Sequence, residues 1–168
     1  MYQCGDLVVY GIHGICKIVE VQTQTISGKK TQFFVLEPVE QTGTRFFVPT
    51  QNEAALAKLR PILTREELNT LLTDKTVAQD AWIPDENQRK QRYRELICSG
   101  DRAALVSMVH ALHRHKQTQL AAGRKFHLCD ENFLRDAEKL LGAEFALVLG
   151  IPREQVAQYV QNAVSMDN

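Results

Sequence analysis

Residues 15–37 read ICKIVEVQTQTISGKKTQFFVLE, and this stretch decides the fold of the first part of the chain. Its two halves are rich in β-branched and aromatic residues, and Ser27-Gly28 separates them. Such runs favour extended strands, and a Ser-Gly pair between them is typical of a tight hairpin turn. We therefore predict two antiparallel strands, residues 15–24 and residues 31–37, joined by that turn.

Two shorter runs of the same kind flank this hairpin. Residues 7–10 precede it, residues 45–48 follow it, and Thr42-Gly43 marks the turn before the last run. Closely spaced strands joined by tight turns predict an antiparallel sheet that curls into a small barrel, because a flat sheet would leave its edges and one face unprotected. Residues 33–36 are apolar on both faces of one strand, so one face should fill the barrel.

After Pro61 the apolar residues recur at helical spacing. Capping residues and closing glycines predict four or five helices with short links, which open at Thr64, Asp85, Asp101, Asp130 and Pro152 and reach about Leu72, Cys98, Ala122, Leu149 and Val164. Residues 74–84 are predicted to be an irregular connection. The fold class is therefore α+β, with a small β domain over residues 1–60 and a compact helical domain over residues 61–168.

The basic residues are concentrated in one part of the chain. The 20 basic and 20 acidic residues cancel overall, but residues 88–127 carry nine Lys or Arg against two acids. That segment has a net charge of +7, and the flanking residues 61–87 and 128–168 each have −4. Such a segment is typical of a surface that binds a polyanion, and a solvated helix face is the alternative interpretation.

The composition excludes several classes of protein. No apolar run approaches the roughly 20 residues of a membrane span, and no secretory leader opens the sequence. The four cysteines form no CxxC pair, which favours reduced thiols in a cytoplasmic protein. His110, His113 and His115 with Cys129 do not have the spacing of a metal centre, because His115 points away from the helix face that the other two share. We predict no metal, no cofactor and no catalytic residues.

Several motifs resemble one family of bacterial transcription factors. GDLVVYGIHG at residues 5–14 is similar to the GDxVVYPxHG opening of the CarD/CdnL family, whose β module transcription-repair coupling factors share. Phe46-Phe47-Val48-Pro49 matches the same module, and Ser99-Gly100-Asp101 and the apolar pattern of residues 133–149 resemble the helical half. The sequence has no GxxxxGK[ST] loop, so a two-domain factor is a closer match than an ATP-driven repair enzyme.

The resemblance implies a Tudor-like domain that docks on the RNA polymerase β subunit, partly by strand pairing. It implies a helical domain that contacts promoter DNA at the upstream edge of the transcription bubble. By their positions on the hairpin and the edge, Gln24, Arg45 and Phe47 are the expected polymerase contacts. The family uses a tryptophan as a wedge at the bubble edge, and Trp82 is the candidate here, with a role as a packing anchor as the equal alternative.

Basic side chains supply the remaining predicted DNA contacts. Lys90 and Arg94 lie four residues apart on one helix face, where they can reach successive phosphates. The full predicted set beside Trp82 is Arg89, Lys90, Arg92, Arg94, Arg114, Lys116, Arg124 and Lys125. We expect a monomeric, non-enzymatic regulator that stabilises open promoter complexes without reading bases. A polymerase-bound adaptor that recruits another protein is the alternative function, and an enzyme or a thiol or metal sensor is a third.

Overall fold

The computed structural model of the protein describes residues 1–74, 76–77 and 82–165. The chain divides into two compact units, residues 1–62 and residues 63–168. The first is a five-stranded antiparallel sheet and the second is helical, which confirms the predicted α+β class. The strands are β1 (Leu7–Tyr10), β2 (Ile15–Ile26), β3 (Lys29–Pro38), β4 (Phe46–Pro49) and β5 (Leu59–Pro61).

The predicted hairpin is the longest pairing of the sheet. β2 and β3 pair down to Ile26 and Lys29, which flank the two-residue turn Ser27-Gly28. Both turn residues have positive φ, 50° at Ser27 and 79° at Gly28, as a turn that matches the twist of the flanking strands requires. The turn is therefore where the sequence predicts it, and both strands run closer to it than predicted.

The sheet curls on itself. The hydrogen-bonded order is β4-β3-β2-β1-β5, yet the rings of Tyr10 on β1 and Phe46 on β4 have centroids 5.5 Å apart. Three strand spacings would separate β1 from β4 by about 14 Å in a flat sheet. Residues of all five strands share one core: Val8, Cys16, Ile18, Phe34, Leu36, Val48 and Leu59. Burial in this core raises the pKa of the Cys16 thiol to about 11.

Besides the 3-10 helix Gly11–His13, two elements of the first unit lack a prediction. Asn52 accepts a hydrogen bond from the Ala55 N–H at 3.1 Å and caps the short helix α1 (Glu53–Leu56). β5 follows and pairs with β1, so it forms one edge of the sheet while β4 forms the other. A three-residue strand that contains Pro61 has too little alternation to be found by its pattern.

The helices of the second unit are α2 (Arg65–Thr73), α3 (Glu86–Ser99), α4 (Arg102–Ala121), α5 (Leu128–Leu149) and α6 (Val156–Ser165). Three predicted caps are confirmed: Thr64 forms a capping box with Glu67, and Asp85 and Asp101 each accept a hydrogen bond from a first-turn N–H. The predicted connection of residues 74–84 lies partly outside the described residues. In the described ranges, no helix has the length and apolar character needed to cross a membrane.

The predicted start of α5 is wrong. Asp130 was expected to cap this helix, but α5 begins at Leu128 after His127, and Asp130 is buried in the first turn. An aspartate that begins a helix in sequence is a good cap only when its carboxylate stays free for the backbone. Here Arg89 binds that carboxylate instead.

A second buried acid fixes the entry of the chain into the helical unit. Glu144 of α5 is 3% exposed and accepts hydrogen bonds from Arg102 of α4, at 2.9 Å and 2.7 Å. Its Oε1 also accepts the Leu63 N–H at 2.9 Å. The carboxylate is thereby paired and hydrogen-bonded, as a buried charge must be, and it ties α4, α5 and the start of the unit together.

Candidate functional site

The open edge of β4 exposes main-chain groups. The Thr50 N–H donates to the Gln32 carbonyl at 2.9 Å, and bonding in an antiparallel ladder alternates from residue to residue. Phe46 and Val48 therefore bond towards β3, while the N–H and C=O of Phe47 point away from it. Pro49 has the same orientation as Phe47, so its missing N–H costs the β3–β4 ladder nothing.

The three predicted polymerase contacts lie on one face of this sheet. Gln24 pairs with Thr31 and Phe47 pairs with Val35, and alternate residues of β3 share a face. Arg45 lies on the same face, since its Nε donates to Glu37 Oε1 at 2.8 Å. This face is opposite to Phe34 and Leu36, which fill the core. Phe47 is 48% exposed there.

The excess of basic residues in residues 88–127 is largely paired in the structure. Arg89 and Arg102 form buried or nearly buried ion pairs with Asp130 and Glu144. At the surface, Lys90 pairs with Glu86, Arg92 with Glu95 and Lys116 with Glu131. Within the described residues the remaining four cations of this segment form no ion pair: Arg94, Arg114, Arg124 and Lys125. Four of the five acidic partners come from the two acidic flanks, so the charge segregation in the sequence partly encodes contacts between helices.

Arg89 has a different place from the predicted one. It is 4% exposed, and its Nε and Nη2 donate to the two carboxylate oxygens of Asp130 at 2.9 Å and 3.0 Å. Its Nη1 donates to the Ile83 carbonyl at 3.0 Å. With its donors engaged in the interior, Arg89 presents no guanidinium to a phosphate; it holds α3 to α5 and to the segment before α3.

Trp82 is stacked and partly buried. Its ring lies 3.6 Å from the His115 ring, centroid to centroid and nearly parallel, and the Arg89 guanidinium carbon is 4.4 Å from the Trp82 ring centroid. Trp82 also packs against the helical core. These contacts are those that a packing anchor makes; the wedge role stays a prediction.

The surface cations cluster around the connection between α4 and α5. Lys116 Nζ lies 5.7 Å from the centroid of Phe126, which directly follows Arg124 and Lys125. On α3, the hydrogen bond from Lys90 lowers the pKa of Glu86, and His127 adds a smaller effect. The Arg89–Asp130 pair brings the first turn of α3 close to the start of α5. We call Lys90, Lys116, Arg124 and Lys125 the basic corner. Arg94 lies one helical turn from Lys90 on α3, and Arg92 and Arg114 are also exposed on α3 and α4.

Comparison with known families gives two matches along the chain. Residues 2–63 match the profile described as the CarD-like/TRCF RID domain, and residues 67–161 match the CarD C-terminal domain. The chain belongs to the CarD-like family. CarD-like domains imply a transcription factor that interacts with RNA polymerase, and the family is non-enzymatic. The resemblance seen in residues 5–14 is thus confirmed for both halves of this CarD-like chain.

Two histidines of the weighed metal cluster, His113 and His115, have protein side chains as partners. His113 Nε2 lies 2.5 Å from Glu138 Oε1, and His115 stacks on Trp82. In the ranges that the structure describes, no group of three or more His, Cys, Asp or Glu side chains could hold a metal. The sequence gives no signal for the His115 contact, because Trp82 and His115 are brought together only by packing.

The Arg89–Asp130 pair generates a prediction about stability. Arg89→Ala leaves the Asp130 carboxylate buried without its partner, which should lower the free energy of unfolding by about 3–5 kcal/mol. Urea unfolding followed by circular dichroism measures this change. Arg92→Ala, on the same helix, is the matched control, because Arg92 forms an exposed pair at 3.7 Å and should change the midpoint very little. Equal small shifts in both variants would contradict a structural role for Arg89.

Proposed function

We propose that this CarD-like protein binds the RNA polymerase β subunit through β4 and contacts promoter DNA at the upstream edge of the bubble through its helical unit. It acts as a monomer and favours open over closed promoter complexes. The observation that carries the DNA contact is the exposed consecutive pair Arg124-Lys125, which belongs to the four cations of residues 88–127 that form no ion pair within the described residues. The other five cations of the same segment all have acidic partners.

The β4 edge supports the polymerase contact. Strand addition draws affinity from main-chain hydrogen bonds, and neighbouring side chains set specificity. The outward N–H and C=O of Phe47 provide the main-chain groups, and the exposed Phe47 ring provides an apolar contact beside them. Arg45 and Gln24 lie on the same face and can add polar contacts.

The basic corner supports a contact with the DNA backbone. Lysine and arginine at a surface attract phosphates without reading sequence, which suits a factor that acts at many promoters. Lys90 and Lys116 form ion pairs with Glu86 and Glu131. Arg124 and Lys125 therefore carry most of the proposed attraction to phosphates. A preference of about 1.4 kcal/mol for melted DNA would shift the open-to-closed ratio tenfold.

The first prediction concerns DNA. With polymerase holoenzyme on a promoter that forms an unstable open complex, we expect the protein to lengthen the open-complex lifetime and Arg124→Gln/Lys125→Gln to lose most of that effect. In direct binding to duplex DNA, the double variant should reduce the slope of log affinity against log salt by about 2, since each phosphate contact contributes about 0.9. Arg65→Gln, an exposed arginine on α2, is the control and should change neither quantity.

An unchanged salt slope in the double variant would contradict the phosphate contacts. If the natural protein itself neither bound duplex DNA nor lengthened the open-complex lifetime, the adaptor function would replace DNA binding. Loss of the open-complex effect in the double variant with an unchanged slope would instead indicate that these residues contact polymerase.

The second prediction separates main-chain from side-chain contacts at β4. Phe47→Pro removes the outward N–H but no hydrogen bond to β3, so it should weaken binding to the isolated β subunit by about tenfold more than Phe47→Ala does. Biolayer interferometry with immobilised β subunit measures the two affinities. Ile12→Ala removes a side chain that is 58% exposed elsewhere in the same unit and should bind like the natural protein. Equal affinities of the proline and alanine variants would exclude pairing through Phe47.

The third prediction concerns Trp82. If Trp82 is a packing anchor, Trp82→Ala should lose the stack on His115 and lower the free energy of unfolding by about 2 kcal/mol. This loss is smaller than for a fully buried aromatic residue. The same variant should keep its relative affinity for bubble over duplex DNA, measured by fluorescence anisotropy below its unfolding transition. If Trp82→Ala unfolds with the same free energy as the natural protein but no longer prefers bubble DNA, the wedge role would be favoured.

A further inference from the structure

One apolar side chain of the helical unit is three-quarters exposed. Leu128 begins α5 and is 75% exposed, more than any other large apolar side chain described after Met1. Its neighbour Cys129 is packed against the helical core, so the backbone at this point is fixed. An exposed leucine is common on protein surfaces, and its surroundings decide whether it has a role.

The surroundings of Leu128 are cationic. Arg124 and Lys125 precede it by four and three residues, are exposed, and have no ion-pair partner within the described part of the chain. Lys90 of α3 follows Arg89, whose guanidinium binds Asp130 in the same first turn of α5. The acids of the first turn of α5 are already neutralised, Asp130 by Arg89 and Glu131 by Lys116. The leucine therefore projects from a surface with net positive charge.

This combination fits one chemical class of partner. Centres of protein interfaces are depleted in lysine, which argues against a protein that buries Leu128 beside Lys125. Duplex DNA would satisfy the cations, but its base faces are stacked, so it would offer the leucine only base edges in the grooves. Nucleic acid with an unstacked base step offers both phosphates and an apolar base face, and leucine is among the side chains that occupy such steps.

We propose that Leu128 is the apolar contact of this protein with melted DNA, packing on the exposed base face at the double-strand to single-strand junction. The inference rests on the proposed DNA contact and adds the residue that distinguishes melted from paired DNA. Trp82 is engaged by His115 and Arg89, whereas Leu128 reaches that junction without leaving a packed site. Arg124 and Lys125 bind the flanking phosphates.

The test compares two DNA probes of one length, a full duplex and the same duplex with a central non-complementary bubble. Fluorescence anisotropy with the full chain gives both affinities at one low salt concentration. We expect Leu128→Ala to weaken bubble binding about fivefold and duplex binding less than twofold, because only the unstacked step loses its apolar contact. Leu128→Met keeps an apolar side chain of similar size and should retain the preference for the bubble.

Two controls separate this inference from the proposed function. Leu147→Ala removes another exposed leucine of α5, 48% exposed, and should change neither affinity. Arg124→Gln/Lys125→Gln should weaken both probes alike. The role of Leu128 is overturned if Leu128→Ala prefers the bubble as strongly as the natural protein does, or if it loses affinity equally for both probes. The phosphate contacts would stand in either case. If neither probe binds the natural protein, the DNA contact itself is wrong and this inference fails with it.

Discussion

The buried pair of Arg89 and Asp130 is the contact on which the helical unit depends. It joins the first turn of α3 to the first turn of α5 through two nearly parallel hydrogen bonds, and Arg89 also holds the segment that carries Trp82. A charge pair this deep brings little net stability by itself, because both groups lose their hydration. Its effect is geometric: each partner is costly without the other, so the pair favours the register of α3 and α5 that brings Arg89 onto Asp130. The positions of Lys90, Trp82 and Leu128 relative to one another follow from that register.

The ion pairs of the basic segment explain how a chain of zero net charge can have a cationic surface. Acids from the two flanking segments form ion pairs with four cations of the basic segment, Arg89, Arg102, Lys90 and Lys116. Within the described residues, four cations of this segment form no ion pair, and two of them, Arg124 and Lys125, are consecutive. A binding surface of this kind gains its field from a few residues held together, with little repulsion elsewhere to destabilise the fold.

Features that depend on neighbours in sequence could be predicted. The Ser27-Gly28 turn needs two residues with positive φ, and the caps at Thr64, Asp85 and Asp101 each bond to the N–H group three residues further on. Features that depend on distant residues could not. Asp130 has the sequence context of a cap, and only the approach of Arg89 from 41 residues away makes it an interior ion. In the candidate site, the common face of Arg45 and Phe47 follows from strand periodicity, whereas the burial of Arg89 and the stack of Trp82 on His115 are products of packing.

Pro49 gives the exposed edge of the barrel a built-in limit. An uncovered strand is a template on which further copies of the same chain can assemble into ribbons. Pro49 has no N–H to donate to an incoming strand. An added strand can therefore form only a short run of main-chain hydrogen bonds with β4 before the ladder is interrupted. Indiscriminate self-association is thereby disfavoured, and a visiting chain must supply complementary side chains to make so brief a pairing worthwhile.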